Sequence, residues 1–146
     1  MLSARVETVG LNPATGGIVL LLRADNGRML PLVIGALEAQ HLLVALSDER
    51  PPRPLTPDLL LSTLEYLGAR LLRVEVVDLR ENVFYARIVL EHRGIEHELD
   101  ARPSDAVGLA ARARAPILVA PAVLEAAGVD ESSVSRGGVE GEIPQA

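Results

Sequence analysis

Asp100-Ala101-Arg102-Pro103-Ser104-Asp105-Ala106 marks a change of period in the chain. Upstream, Ile95 to Leu99 alternates apolar with polar residues, as a half-buried strand does. Downstream, Ala106, Leu109, Ala110 and Ala113 recur at helical spacing. Pro103 suits the first helical position, where its missing N–H leaves no partner wanting. A strand therefore runs straight into a helix, and the joint gathers two carboxylates and an arginine.

Working outward, the spacing predicts strands over Arg70 to Leu79, Val83 to Leu90 and Ile95 to Asp100, then a helix from Pro103 to about Arg112. The first half repeats that order. Arg5 to Leu11, Ile18 to Ala24 and Met29 to Ile34 read as strands, with a turn at Asn12 to Gly17 and a hairpin signal at Asp25-Asn26-Gly27. Gly35 then leads into a helix near Ala36 to Ser47, with an apolar stripe of Ala39, Leu42, Leu43 and Leu46. Val6-Glu7-x-Val9-x-Leu11 returns as Val74-Glu75-x-Val77-x-Leu79, and when the two units are aligned Glu38 falls on Asp105. The fold class expected is α+β: a mixed, largely antiparallel sheet with helices, arising by internal duplication of a β-β-β-α unit.

Between the units, Pro51, Pro52 and Pro54 stiffen a loop over 48–55. Thr56-Pro57-Asp58 reads as a helix start, with Thr56 capping, Pro57 in first position and Asp58 at the positive end of the dipole. Leu60, Leu61, Leu64 and Leu67 form its packing face, and Gly68 ends it. Pro116 to Val119 reads as a short strand and Pro121 to Ala127 as a short helix stopped by Gly128. Residues 1–128 form the domain; residues 129–146, rich in Ser, Gly and acids, read as a disordered acidic tail.

The 146 residues suit one domain, and a hydrophobic fraction of 49% suffices for a core. With Phe84, Tyr66 and Tyr85 as the aromatics, that core must be aliphatic. No apolar run reaches transmembrane length, and no signal peptide is read at Met1-Leu2-Ser3-Ala4, so a cytoplasmic protein away from the membrane is expected. The chain has no cysteine, which excludes disulfides and thiolate chemistry. All 14 basic residues are arginine, so Schiff-base chemistry and a Walker-type loop are excluded as well. A net charge of -6 argues against broad electrostatic binding of nucleic acid, although a local arginine cluster could hold one phosphate.

Each charged candidate has a structural and a functional reading. Asp105 stabilises a helix N-terminus, with Ser104 helping in local capping; Asp100 and Arg102 form an ion pair or a strand end. Alternatively, Asp100 and Asp105 bind Mg²⁺ or Mn²⁺ while Arg102 grips a phosphate. Glu38 and His41, one turn apart, form either an exposed polar face or an acid/base pair. Arg53, Thr56 and Asp58 sit at a helix N-terminus, where anions bind readily. His92 and His97 read as solvent-facing hairpin residues. Ser104 has no neighbouring histidine to activate it, which argues against a serine hydrolase.

Four segments together resemble the bifunctional nuclease domain family: Ile34-Gly35-Ala36-Leu37-Glu38-Ala39, Arg53-Pro54-Leu55-Thr56-Pro57-Asp58-Leu59, Phe84-Tyr85-Ala86, and the opening motif at 100–106. The resemblance runs from about Leu2 to Gly128. It implies an α+β fold, a homo-oligomer and nuclease activity on DNA and RNA, with Glu38, Arg53, Asp58, Asp100, Arg102 and Asp105 as the matched polar positions. The family usually reads Thr-His-Asp in the second motif; this chain has Pro57 in place of the histidine. Proline preserves the helix start but can neither bind a metal nor carry a proton.

Two functions follow. In a metal-assisted phosphodiesterase, Asp100, Asp105, Glu38 and Asp58 are the catalytic acids, with Asp100 and Asp105 on the metal and Arg53 and Arg102 on the substrate phosphate. In a non-catalytic oligomeric binding or scaffold module, the same residues make ion pairs and helix caps. The acidic balance, Pro57 and the scarcity of stacking aromatics favour the second; the family's label favours the first.

Overall fold

Two alternating runs of strands set up the sheet. In the computed structural model, which describes residues 1–134 and 143–146, they are β1 (Leu2–Leu11), β2 (Ile18–Ala24), β3 (Met29–Ile34), β4 (Ala69–Arg80), β5 (Val83–His92) and β6 (Ile95–Ala101). The helices are α1 (Ala36–Leu46), α2 (Thr56–Tyr66), α3 (Pro103–Ala113), α4 (Pro121–Ala127) and α5 (Glu131–Val134), and β7 (Ile117–Val119) lies between α3 and α4. All seven strands join one sheet in the order β3-β2-β1-β7-β4-β5-β6. Every pairing is antiparallel except β4 with β7. The fold is α+β with a mixed sheet, as expected. No helix among the described residues is long and apolar enough to cross a membrane.

Because β1 runs against β7 and β4 runs with it, the two three-stranded units point in opposite directions. Each delivers its helix to the same side, where α1 and α3 pack on one another and on the sheet. The hairpin turns follow backbone necessity. Arg93 and Gly94 both take positive φ (53° and 79°), as a two-residue turn of the favoured twist requires.

The core is aliphatic, as composition demands. Leu20, Leu22, Leu30, Leu32, Val74, Val76, Val107 and Val119 are fully buried, joined by Phe84. The helical stripes are narrower than the leucine spacing predicts. On α1, Ala39 and Leu42 are buried, but Leu43 and Leu46 are exposed. On α2 no residue is fully buried: Leu61 and Leu64 pack at the core's margin, while Leu60 and Leu67 face outward. The reason is the layer. α3 packs between α1 and α2, so each outer helix has one covered side.

β6 also departs from its sequence reading. It is exposed on both faces, Ile95 and Leu99 included, because it is the edge strand and α3 covers β4 and β5 instead. At α2, Leu55 precedes the first helical residue Thr56, so Pro57 sits second. The cap comes from Asp58, whose Oδ2 accepts the Leu55 N–H at 2.9 Å, and not from Thr56. Ser104 gives no capping bond either; its Oγ is buried without a hydrogen-bond partner among the described residues.

The tail reading covers 129–146, of which 135–142 lie outside the described residues. On one side, Val129 exchanges two main-chain bonds with Met29, and Arg28 donates to the Gly128 carbonyl at 2.7 Å. On the other, Pro144 and Ala146 bond to Val33 of β3, and Gln145 bonds to Asn82 and Phe84 at the β4–β5 turn.

One side chain ties the helices together. The side chain of Arg112 on α3 is only 6% exposed. Its Nε donates to Asp58 Oδ1 of α2 at 2.8 Å, its Nη2 to the His41 carbonyl of α1 at 3.0 Å, and its Nη1 to the Gly108 carbonyl at 3.1 Å. Burial pushes the Asp58 carboxyl up, but the Leu55 N–H and the Arg112 guanidinium outweigh it and hold the group below its ordinary value.

Asp58→Asn should weaken both the cap and this clamp, lowering stability by about 1–3 kcal/mol at neutral pH. A lowered carboxyl stabilises above its unfolded value of 3.8 and ceases to do so as pH falls through its folded value. Denaturant melts should therefore show the two proteins converging in acid; a gap that stays constant down to pH 2 would contradict the clamp. At Gly128 a Cβ would collide with the Leu124 carbonyl and crowd Arg28. Gly128→Ala is expected to cost about 1–3 kcal/mol, seen as a lower Tm.

Candidate functional site

The end of β6 and the start of α3 are one continuous turn. Arg102 holds the N-cap position in extended conformation, Pro103 takes the first helical place and Asp105 the third, as the sequence predicts. From there the Arg102 guanidinium meets Asp105 side-on, Nε to Oδ2 at 2.8 Å and Nη2 to Oδ1 at 3.1 Å. Its third nitrogen, Nη1, reaches Glu38 Oε1 in the first turn of α1 at 3.0 Å. The two helix starts are thereby joined through one arginine.

Glu38 can reach because of Gly35. A Cβ at that position would collide with the Glu38 carboxylate, which folds back over its own helix start. The backbone N–H of Glu38, then Arg102, hold this carboxyl below the usual range. Asp105 and Glu38 hold the Arg102 guanidinium firmly protonated. Glu38 is mostly covered, but the Arg102 side chain is 56% exposed and that of Asp105 52%. Exposed pairs of this kind contribute only about 0–1 kcal/mol each, so the cluster fixes direction more than it fixes the fold.

The other candidates lie elsewhere. Asp100 pairs through its backbone with Arg87 of β5, and its exposed side chain makes no hydrogen bond or ion pair among the described residues. Arg53 lines a cleft of about 490 Å³ between the proline loop, α2 and the far end of α3, together with Asp58 and Arg112. The six sequence candidates thus fall into a Glu38–Arg102–Asp105 cluster, an Arg53–Asp58 cleft and an isolated Asp100. His41 stands near both carboxylates, contributing electrostatically at Glu38 and at Asp58. The rings of His92 and His97 lie 6.4 Å apart across their hairpin.

For a metal, the donor set is poor as arranged. Both oxygens of Asp105 are engaged by Arg102, one oxygen of Glu38 is too, and Asp58 is divided between Leu55 and Arg112. Among the described residues no three His, Cys, Asp or Glu side chains gather as a cation site. Arg112 is the residue that sequence reasoning missed. Its one signal was an arginine one turn after Gly108, a gap in the helix wall that lets the long side chain fold back across α1.

The sequence has relatives. The model of the bifunctional nuclease domain matches residues 19–132. An uncharacterised protein of Mycobacterium tuberculosis is 46% identical over 133 residues, covering 87% of this chain and 79% of that one. Bifunctional nuclease 1 of Oryza sativa subsp. japonica is 31% identical over 105 residues, and bifunctional nuclease 1 of Arabidopsis thaliana is 27% identical over 105 residues. In both plant matches the alignment covers 70% of this chain but only 32% of the plant protein. With the matched region running from β2 to α5 and taking in Glu38, Arg53, Asp58, Asp100, Arg102 and Asp105, the chain belongs to the bifunctional nuclease domain family.

Proposed function

We propose that this domain is a nuclease that cleaves phosphodiester bonds of nucleic acid at the surface where α1 and α3 begin, with Arg102 contacting the phosphate. The observation that carries this reading is the state of Arg102. Asp105 and Glu38 grip its guanidinium from two directions, yet more than half of the side chain is open to solvent. A planar, oriented and accessible guanidinium is suited to a phosphate oxygen. The family and its plant nucleases support the choice of substrate.

To hold a metal, Asp105 would have to share or surrender its arginine. The chain's own contribution is electrostatic: Arg102 offsets the charge that builds on the phosphate as the bond breaks.

A second reading has one specific observation in its favour. Glu38, Asp58 and Asp105 are each already partnered by an arginine, as a non-catalytic module would have them.

Cleavage of labelled single-stranded DNA and RNA by the purified chain, with and without Mn²⁺, separates the two. Wild type should cleave, and Arg102→Gln should be slower by about tenfold or more while its Tm stays within a degree or two, as loss of an exposed pair allows. Absence of cleavage under both conditions, or undiminished cleavage by Arg102→Gln, would leave the scaffold reading.

A further inference from the structure

We propose that the cleft lined by Arg50, Arg53 and Arg114 is a separate binding site for a nucleotide, with arginines on its phosphate and acids on its hydroxyl and amino groups. Nine of the described arginines, including Arg102 and Arg112, pair with a carboxylate. Arg50, Arg53, Arg93 and Arg114 do not, and three of those four line this one cleft. Asp48, Glu49 and Glu65 line it as well, and no pair forms between them and the three arginines. In a chain where arginines otherwise find acids, so many opposite charges left apart in one cavity points to a ligand that satisfies both.

The backbone keeps them apart. Pro51, Pro52 and Pro54 hold Arg53 on a stiff segment, with Arg50 just before it. Arg114 sits beyond α3 in the left-handed region, φ 55° and ψ 38°, a conformation that glycine takes without penalty. The fold tolerates an arginine there, and that arginine enters the cleft. Its far wall is secured by Arg112 holding Asp58, so the cavity is built on the same clamp that joins the helices. A volume of about 490 Å³ lies in the range of small-ligand sites. Guanidinium groups take phosphate oxygens in pairs, while carboxylates accept from ribose hydroxyls and exocyclic amines. One nucleotide carries all of these.

A free nucleotide and a nucleotide within a strand present the same chemistry to this cleft. The choice of nucleotide rests on the nuclease reading; the cleft geometry does not. Binding is measured on the whole chain, by titration calorimetry with adenosine 5′-monophosphate, adenosine, and a short phosphorothioate single strand that resists cleavage. The monophosphate should bind at least about tenfold tighter than adenosine. Arg53→Gln and Arg114→Gly should each weaken it about fivefold or more, and Arg93→Gln, on the β5–β6 turn and outside the cleft's lining, should leave it unchanged. Arg114→Gly should melt no lower than wild type, since glycine relieves the left-handed residue, so lost binding there is not lost fold. A strand that binds tighter with the same variant pattern identifies nucleic acid as the source; a strand that binds no tighter identifies the free nucleotide. No binding of the monophosphate at millimolar concentration, cleft variants that bind like wild type, or an equal loss in Arg93→Gln would overturn the proposal. Cleavage that depends on Arg102 with a silent cleft would sink this inference alone, and cleft binding without any cleavage would sink the nuclease reading alone.

Discussion

A buried guanidinium is the constraint around which the helical layer is organised. Arg112 has lost nearly all contact with water, so its N–H groups must be answered from within the protein or the fold bears a heavy desolvation cost. Three helices supply the answers: a carboxylate from α2 and main-chain carbonyls from α1 and α3 itself. Asp58 is therefore fixed before any chemistry is asked of it. Its appearance in a family motif is accounted for by the helix it caps and the arginine it receives.

The same economy recurs at the helix starts. Two N-termini brought together carry positive dipole ends that disfavour close approach, and Glu38 and Asp105 in the first turns offset them. Those two acids then leave room for a cation between them, which Arg102 provides. Lysine could neutralise the charge but could not reach both acids with a rigid fork. An all-arginine chain is in this respect well matched to its own geometry.

Much of this was legible in the order of residues. β2, β3 and α4 have the bounds that alternation, turns and proline placement assign, and the 100–106 joint is the strand-to-helix turn that its change of period announces. What failed did so for a common reason: local pattern reports which side of an element is apolar, not whether anything lies over it. Leu43 and Leu60 keep their helical spacing but face solvent because α3 covers only one side of α1 and α2. Ile95 and Leu99 alternate correctly on the edge strand yet stay exposed. At the site, Arg102 with Asp105 could be read from three-residue spacing, whereas Arg102 with Glu38 and Arg112 with Asp58 span 64 and 54 residues and depend on the packed layer.

The sheet's two margins are finished differently. At β3, the main chain of Pro144 and Ala146 occupies groups that would otherwise stand open to a neighbouring strand. Among the described residues no strand pairs with the outer side of β6, and an open strand edge is a template on which a second molecule can add. Along it stand Glu96, Glu98 and Asp100, which would face the same acids of any copy that docked edge to edge. Asp100, whose side chain has no partner among the described residues, adds to that row of like charge, so edge-to-edge addition would set acid against acid.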